Sequence, residues 1–508
     1  MKLKHLIVTL IAGLSVSQVG AGETAMSAHS HVGTHVGTRI GQLDFTHGFA
    51  AGYPSKASVK KLYDELDFQR ATQAYLWALP IVSMTEMQRA QREVFGAADG
   101  EFVLLTSFKD RLGVLTPNAT TPYIWSIVDL EKTGPLVWEI AGGAHAGGII
   151  DFWQKAIVDV GAFGPDKMQA GRYLILPPGS TEPDVPGYFM VRSTTRNVML
   201  GTRSLETDNA KSDAFYASMR IYRYADRDTP AAAQPARVIK AGDKTWSHTQ
   251  PRGMAYWQSL ADILQREVVL ERDRQIMAML KPLGIEKGKP FMPNARQKKL
   301  LSEAVVVGEA MAKALAFQKR GEGIRYRPDA QWENVIGWSP SHETTHYHQL
   351  DELSTYAYEA VVTTRAMVAR IPGVGQAYLG AYRDAQGEWL DGGKTYRLRV
   401  PPNVPAKQFW SLTAYDVDTR SLIDNPQQIS DRSSRMDLVS NADGSVDLYL
   451  APDKATIPAG MEKNWIPTIK GRAWFAYFRF YAPLEGYLNA SWSLPDFELL
   501  TTSKGKKK

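Results

Sequence analysis

Four groups of side chains in this sequence have the types and spacings to do chemistry. The first closes the run FWSLTAYDVDTRSLIDN at 409–425, where an alternating apolar segment gives way to Asp416, Asp418 and Arg420. A carboxylate at such a rim could serve as general acid or base, and an arginine could clamp an anion. The plainer reading is a strand that runs into a solvated turn. Arg479 stands inside the apolar run WFAYFRFYA. A charge there must be paired or face a cavity, because an unpaired buried charge is very costly. Asp416 or Asp418 is the natural partner, either in a structural salt bridge or in a site where Arg479 meets a substrate anion. Tyr415, Asn464 and Trp465 would wall that site and Arg420 would be a second clamp.

The second group is Asn118-Ala119-Thr120-Thr121-Pro122-Tyr123. An amide and hydroxyls beside a proline-fixed turn can orient a ligand, or simply make a turn before a strand. The third is Asp151-Phe152-Trp153, followed by Asp159 and Asp166 in glycine-bearing loops. Carboxylates near Trp153 could hold a sugar face, or they could be turn-forming side chains. The fourth, His342-Glu343-Thr344-Thr345-His346, spells H-E-x-x-H. On a helix His342 and His346 would share a face and could bind a divalent metal, with Glu343 as base. Pro340 and Ser341 place them at a first helical turn with Ser341 as N-cap. Gln349 stands where metzincins require glycine. A divalent metal at His342 and His346 is the one cofactor the sequence suggests. No G-x-S-x-G elbow, P-loop or dinucleotide fingerprint occurs.

The elements that must position these groups follow from periodicity. Residues 59–84 have helical spacing, with Pro80 expected to end or kink the helix. From Phe102 the period switches to two in FVLLTSF, PYIWSIVDL, PLVWEI, GRYLILP, GYFMVRS and NVMLGTRSL. Helical patterns return at 257–280, 298–317 and from Ser341 to about Arg370. Strand patterns resume at Gln376 with YLGAY, YRLRV, QFWSLTAY, VDLYL and WFAYFRFYA. The expected fold is α+β and β-dominated: two β-sandwich or barrel-like domains with a helical middle layer. The expected boundaries are a signal peptide at 1–21, a flexible His/Gly/Thr-rich tail at 22–57, an N-terminal β-rich domain at 58–240, a helical connector at 241–375, a C-terminal β domain at 376–500 and a basic tail at 501–508.

Lys2 and Lys4 precede an apolar run from Leu6 to Val16 and a small-residue exit at Val19 and Ala21. That pattern predicts cleavage near Ala21 and export to the periplasm or beyond. The run is too short for a permanent span, and no other segment approaches 18 uninterrupted apolar residues. Formal net charge is +6. Removing Lys2 and Lys4 leaves +4, which Lys504, Lys506, Lys507 and Lys508 supply, so the body is near neutral and no nucleic-acid partner is expected. Zero cysteines exclude disulfides and thiol chemistry.

Long strings also carry a family likeness. ATQAYLWALP, LTPNATTPYIWSIVDLEKTGPLV, DFWQKAIVDVGAFGPDKMQAGRYLILPPG and GYFMVRSTTRNVMLGTRSL resemble domain of unknown function 1254. YLGAYRDAQGEWLDGGKTYRLRVPPNVPAKQFWSLTAYDVDTRSLIDN and NWIPTIKGRAWFAYFRFYAPLEGYLNASWSLPDFE resemble domain of unknown function 1214. The resemblance spans about 60–500 and carries over Asn118, Thr121 and Tyr123. It implies an exported, β-rich, two-domain bacterial protein of the cell envelope and brings no catalytic mechanism. The expectation is a protein that binds or transforms a polar, glycan- or carboxylate-bearing small molecule in an inter-domain cleft by acid/base chemistry, as a hydrolase or lyase. A non-catalytic envelope binding protein and a metal-dependent hydrolase are the alternatives. The oligomeric state is left open.

Overall fold

The structure is a computed structural model that describes residues 34–500 apart from Glu322 and Ala369. The signal-peptide pattern, the cleavage point near Ala21, the first part of the 22–57 stretch and the terminal lysines lie outside the described residues. The chain divides at Leu66 into two units. In the first, β1 (His35–Thr38) and β2 (Gly41–Asp44) form an antiparallel hairpin. Gly41 takes φ +93° at the turn, a conformation that suits glycine. Part of the stretch expected to be a flexible tail is therefore a hairpin. Asp44 N donates to Ser58 Oγ at 2.7 Å, tying it to the opening of a helix, Lys56–Arg89.

Pro80 does not end this helix, which runs on to Arg89. Proline removes the N–H that would meet the Leu76 carbonyl, and that carbonyl needs another donor. The Ser354 hydroxyl lies 3.0 Å from it and 2.7 Å from the Leu350 carbonyl, so one proton serves both. Gln154 Nε2 donates to the Pro80 carbonyl at 3.1 Å. Tertiary partners thus satisfy the interruption. Ser354→Ala should cost about 1 kcal/mol, read as a lowered denaturant midpoint at unchanged slope. An unchanged midpoint would mean another donor serves Leu76.

In the second unit the period-two runs fold as strands. The first ten are β3 (Phe102–Leu105), β4 (Tyr123–Asp129), β5 (Leu136–Ile140), β6 (His145–Asp151), β7 (Ala156–Gly161), β8 (Gly171–Leu176), β9 (Phe189–Arg192), β10 (Asn197–Ser204), β11 (Arg220–Arg223) and β12 (Val238–Lys240). They form a six-stranded sheet, β12-β3-β4-β10-β6-β7, and a four-stranded sheet, β11-β5-β8-β9. The later strands are β13 (Glu333–Asn334), β14 (Gln376–Ala381), β15 (Tyr396–Val400), β16 (Ala406–Asp416), β17 (Asp431–Ser433), β18 (Val446–Ala451), β19 (Trp465–Pro467), β20 (Trp474–Pro483) and β21 (Glu498–Leu499). They form a five-stranded sheet, β13-β14-β20-β16-β17, and a four-stranded sheet, β19-β18-β15-β21. None closes into a barrel among the described residues, so the barrel-like alternative is set aside and the fold is a β-rich α+β one.

Alternation gives each large sheet two buried faces. On β4 and β10, Ile124, Val128, Val198 and Leu200 pack toward the first small sheet. Trp125, Ile127 and Met199 pack toward helices. On β20, Trp474, Ala476, Phe478 and Phe480 pack toward the second small sheet, while Phe475 and Tyr477 join the helical core. The helices Met254–Arg266, Ala295–Phe317 and Leu350–Glu359 supply that core with residues such as Trp257, Leu301 and Tyr358. A capping box between Asn294 and Gln297 starts the second of them. The large sheets thus share one helical layer, as the middle-layer expectation required. No helix among the described residues is long and apolar enough to cross a membrane.

Candidate functional site

Where the second faces of the two large sheets come together they enclose a cavity of about 220 Å³. Same-face residues build it. Tyr123 and Trp125 come from β4, Met199, Gly201 and Arg203 from β10, and Gln376 and Tyr378 from β14. Tyr477, Arg479 and Tyr481 come from β20. The helical layer adds Met87 and Tyr356, and the segment after it adds Val361 and Val362. Gly201 leaves room on this face, since a Cβ there would come within 3.3 Å of the Met199 methyl. The wall is mostly apolar or aromatic. Among the described residues its charged members are Arg203, Arg435 and Arg479, with no carboxylate, lysine or histidine.

Arg479 explains itself by this geometry. The alternation that points Phe478 and Phe480 into the core points Arg479 the other way, toward the cavity. It is 3% exposed, with Nη1 donating to Thr413 Oγ1 at 3.0 Å and Nη2 to the Thr116 carbonyl at 2.9 Å. The rings of Tyr378, Tyr415 and Tyr477 lie 5.5–5.6 Å from its guanidinium carbon. Neither contact is a carboxylate. An arginine remains protonated in such a place, so this is a buried cation held by neutral acceptors. The nearby Asp431 carboxyl is pushed up by burial, against the pull of Arg432, Arg111 and Arg479.

The Asn118 group meets Arg479 at the same cavity. Asn118 Oδ1 accepts from Thr120 N at 3.0 Å and from Thr121 N at 2.8 Å, which fixes its amide orientation. Its backbone N and Nδ2 then both donate to the Tyr123 hydroxyl, at 2.8 and 2.6 Å. A hydroxyl that accepts twice still has its own hydrogen to give, and no acceptor for it occurs among the described residues. Tyr123 is thus a spare donor at the cavity wall. Trp125 Nε1 is a second, buried without a partner.

The other expected site residues serve different ends. The expected Arg479–Asp416 or Arg479–Asp418 pair does not form. Asp416 instead pairs with Arg472 through two bonds of 2.5 and 2.7 Å and accepts from Asp418 N and Thr419 N at 2.9 and 3.0 Å. Burial would raise its carboxyl, but Arg472 and these amides hold it below the usual carboxylate range. Asp418 is exposed and pairs with Arg252 at 2.7 Å. Arg420 is no free clamp: Nε, Nη1 and Nη2 donate to the Tyr358 carbonyl, the Asp418 carbonyl and Gln250 Oε1. Its own carbonyl accepts from Thr116 N at 2.7 Å, and Tyr415 donates to the Pro117 carbonyl at 2.7 Å. This turn therefore positions the loop that Arg479 grips.

Asp151 accepts from Trp153 N, Lys155 N and Thr194 Oγ1, as a turn-former does, and Trp153 packs on Trp77 with centroids 4.7 Å apart. Asp159 holds Arg365 N and Ala366 N, and Asp166 accepts from Tyr173 and Gly161 N. Asn464 is fully buried on backbone groups of Val439 and Asp447, and Trp465 Nε1 donates to the Ala451 carbonyl. None of these lines the cavity. The H-E-x-x-H residues are not helical. The helix begins at Leu350, His342 has φ +64°, and Glu343 bridges to His348. His342 is buried and His346 exposed, so they present no common face to a metal. Among the described residues no group of three or more His, Asp or Glu could hold one.

The Leu115 end of the loop rests on a neutral histidine. His248 Nε2 accepts from Leu115 N at 2.9 Å, and Nδ1 sits 3.0 Å from Ser83 Oγ. Burial, then the nearby Arg420 charge, lowers this imidazole to about 3. Between that value and the unfolded 6.5 the native state binds fewer protons than the unfolded chain. The His248 contribution is therefore complete above pH 6.5 and declines as pH falls toward 3. At about pH 4.5 the loss is about 2–3 kcal/mol. His248→Gln should flatten the fall in melting temperature between pH 6.5 and 4.5, and an unaltered pH profile would contradict this assignment.

Tyr378, Tyr481, Trp125 and Arg203 line the cavity but were not singled out from the sequence. Arg203 had a usable signal, since it alternates with Met199 and Gly201 in NVMLGTRSL exactly as Arg479 alternates in its own run.

Two family models match parts of this chain. Residues 101–223 match the model described as protein of unknown function DUF1254, and residues 375–485 match that of protein of unknown function DUF1214. No functionally curated protein matches. The crystal structure of the VPA0106 protein from Vibrio parahaemolyticus is similar at 15% identity, covering 86% of this chain and 100% of that one with a TM-score of 0.53. That likeness is one of fold. A putative uncharacterized protein from Burkholderia cenocepacia aligns at 13% identity over 87% of this chain and 97% of that one, with a TM-score of 0.40.

Proposed function

Because the chain joins a DUF1254 domain to a DUF1214 domain and each supplies a wall of one cavity, we propose that the protein binds a small organic anion with an apolar body there. The observation that carries this reading is Arg479, a buried guanidinium on neutral acceptors in a cavity lined by no acidic residue. Tyr123 adds a hydroxyl donor to the same wall, and a guanidinium with a neighbouring donor suits a carboxylate. A glycan would need acceptors that this wall scarcely offers. Acid/base catalysis finds no support in the lining, which holds no aspartate, glutamate or histidine, so the binding alternative is preferred to a hydrolase or lyase. The signal-peptide pattern at Lys2 to Ala21 adds that the protein works outside the cytoplasm. An engineered cavity of about 150 Å³ accommodates benzene, so this one suits a body of roughly ten heavy atoms. Titration calorimetry with octanoate and 1-octanol tests the reading. Octanoate should bind at least tenfold more tightly; equal affinities, or no binding by either, would reject it.

A further inference from the structure

Resting on that reading, we infer that the ligand carries two anionic groups, one met by Arg479 and the other by Arg203. Arg203 is half-buried and lines the cavity, yet its guanidinium makes no hydrogen bond or ion pair among the described residues. A partly desolvated cation without a partner is costly in a wall that offers no carboxylate. Arg479 has no carboxylate within hydrogen-bonding distance to share with it, and the nearby Asp431 does not line the cavity. The two cations come from different domains, Arg203 on β10 and Arg479 on β20. Both line the cavity together with Tyr378 and Tyr481, on whose hydroxyls both charges act.

Arg435, the third arginine of the lining, is in a different situation. It is exposed as a residue, and its guanidinium lies over the Phe409 ring at 3.8 Å, a cation–π partner that Arg203 lacks among the described residues. One anion on Arg479 leaves Arg203 uncompensated; a second completes the neutralisation. A dicarboxylate with an apolar spacer has this chemistry, and it would bridge the DUF1254 and DUF1214 walls.

Calorimetry with the even straight-chain dicarboxylates from four to eight carbons, each beside the monocarboxylate of equal length, tests the inference. For the best-fitting length the diacid should bind at least tenfold more tightly than its monoacid. Arg203→Met should bring that ratio to about one, and Arg203→Lys should restore part of it. A wild-type ratio near one would overturn the inference and leave the single-anion reading standing. So would an Arg203→Met variant that weakens both acids alike, since that is the mark of one carboxylate shared by both arginines or of a merely structural arginine. Failure of every acid to bind would reject the inference together with the reading beneath it.

Discussion

Arg479→Met will weaken anion binding severely and leave the protein folded. The substitution removes the charge and both N–H contacts but keeps an unbranched chain of similar reach. Two neutral acceptors, Thr413 Oγ1 and the Thr116 carbonyl, lose a donor. The Thr413 hydroxyl can rotate, and the protein is relieved of desolvating a cation, so these effects oppose one another. The ligand has no such compensation, since its carboxylate would enter an apolar chamber without its counter-charge. A loss of about 100-fold in octanoate affinity, roughly 3 kcal/mol, is expected by calorimetry. Arg479→Lys should recover only part of it, because a point charge does not replace a planar fork. Unchanged octanoate affinity in Arg479→Met would make the arginine a structural residue.

Asp416→Ala should do the reverse, lowering stability while octanoate affinity stays within about twofold. Asp416 is 5% exposed and ties Arg472 and two backbone amides into the turn that bears Arg420. Arg472 is 44% exposed at its side chain, which weakens the ion pair. The amides left without an acceptor dominate the cost, about 2–4 kcal/mol in denaturant unfolding. The pH dependence has a definite sign. A carboxyl held below its unfolded value of about 3.8 contributes stability above that pH and loses it as pH falls through the folded value. The variant should therefore be less stable than the parent at pH 7, and the gap should narrow below pH 4. Equal stability at pH 7 would show the turn to be indifferent to Asp416.

These contrasting expectations mark where the sequence was legible. Alternation in WFAYFRFYA already required Arg479 to be paired or to face a cavity, and the cavity is what the second face of β20 meets. The partner of Asp416 was not readable, because it depends on strand register. Ser411 lies opposite Arg479 and Asp416 opposite Trp474, so Asp416 and Arg479 are separated by five residues, roughly 17 Å of strand. Arg472, two residues before the partner strand begins at Trp474, is the arginine within reach. The turn chemistry of Asn118 and Thr121 was legible, but the second acceptance by Tyr123 that frees its proton was not. Strand β6 was obscured by Gly147 and Gly148, whose missing side chains erase the period-two signal. The H-E-x-x-H spacing read as helix because local pattern carries no information about the left-handed turn at His342.

The most direct test is a crystal structure of the protein with octanoate. The carboxylate should lie within hydrogen-bonding distance of the Arg479 guanidinium and the Tyr123 hydroxyl, with the alkyl chain along Met87, Met199 and Tyr356. An empty cavity with the ligand seated at the Asp416–Arg472 turn, or a carboxylate turned away from Arg479, would contradict that placement.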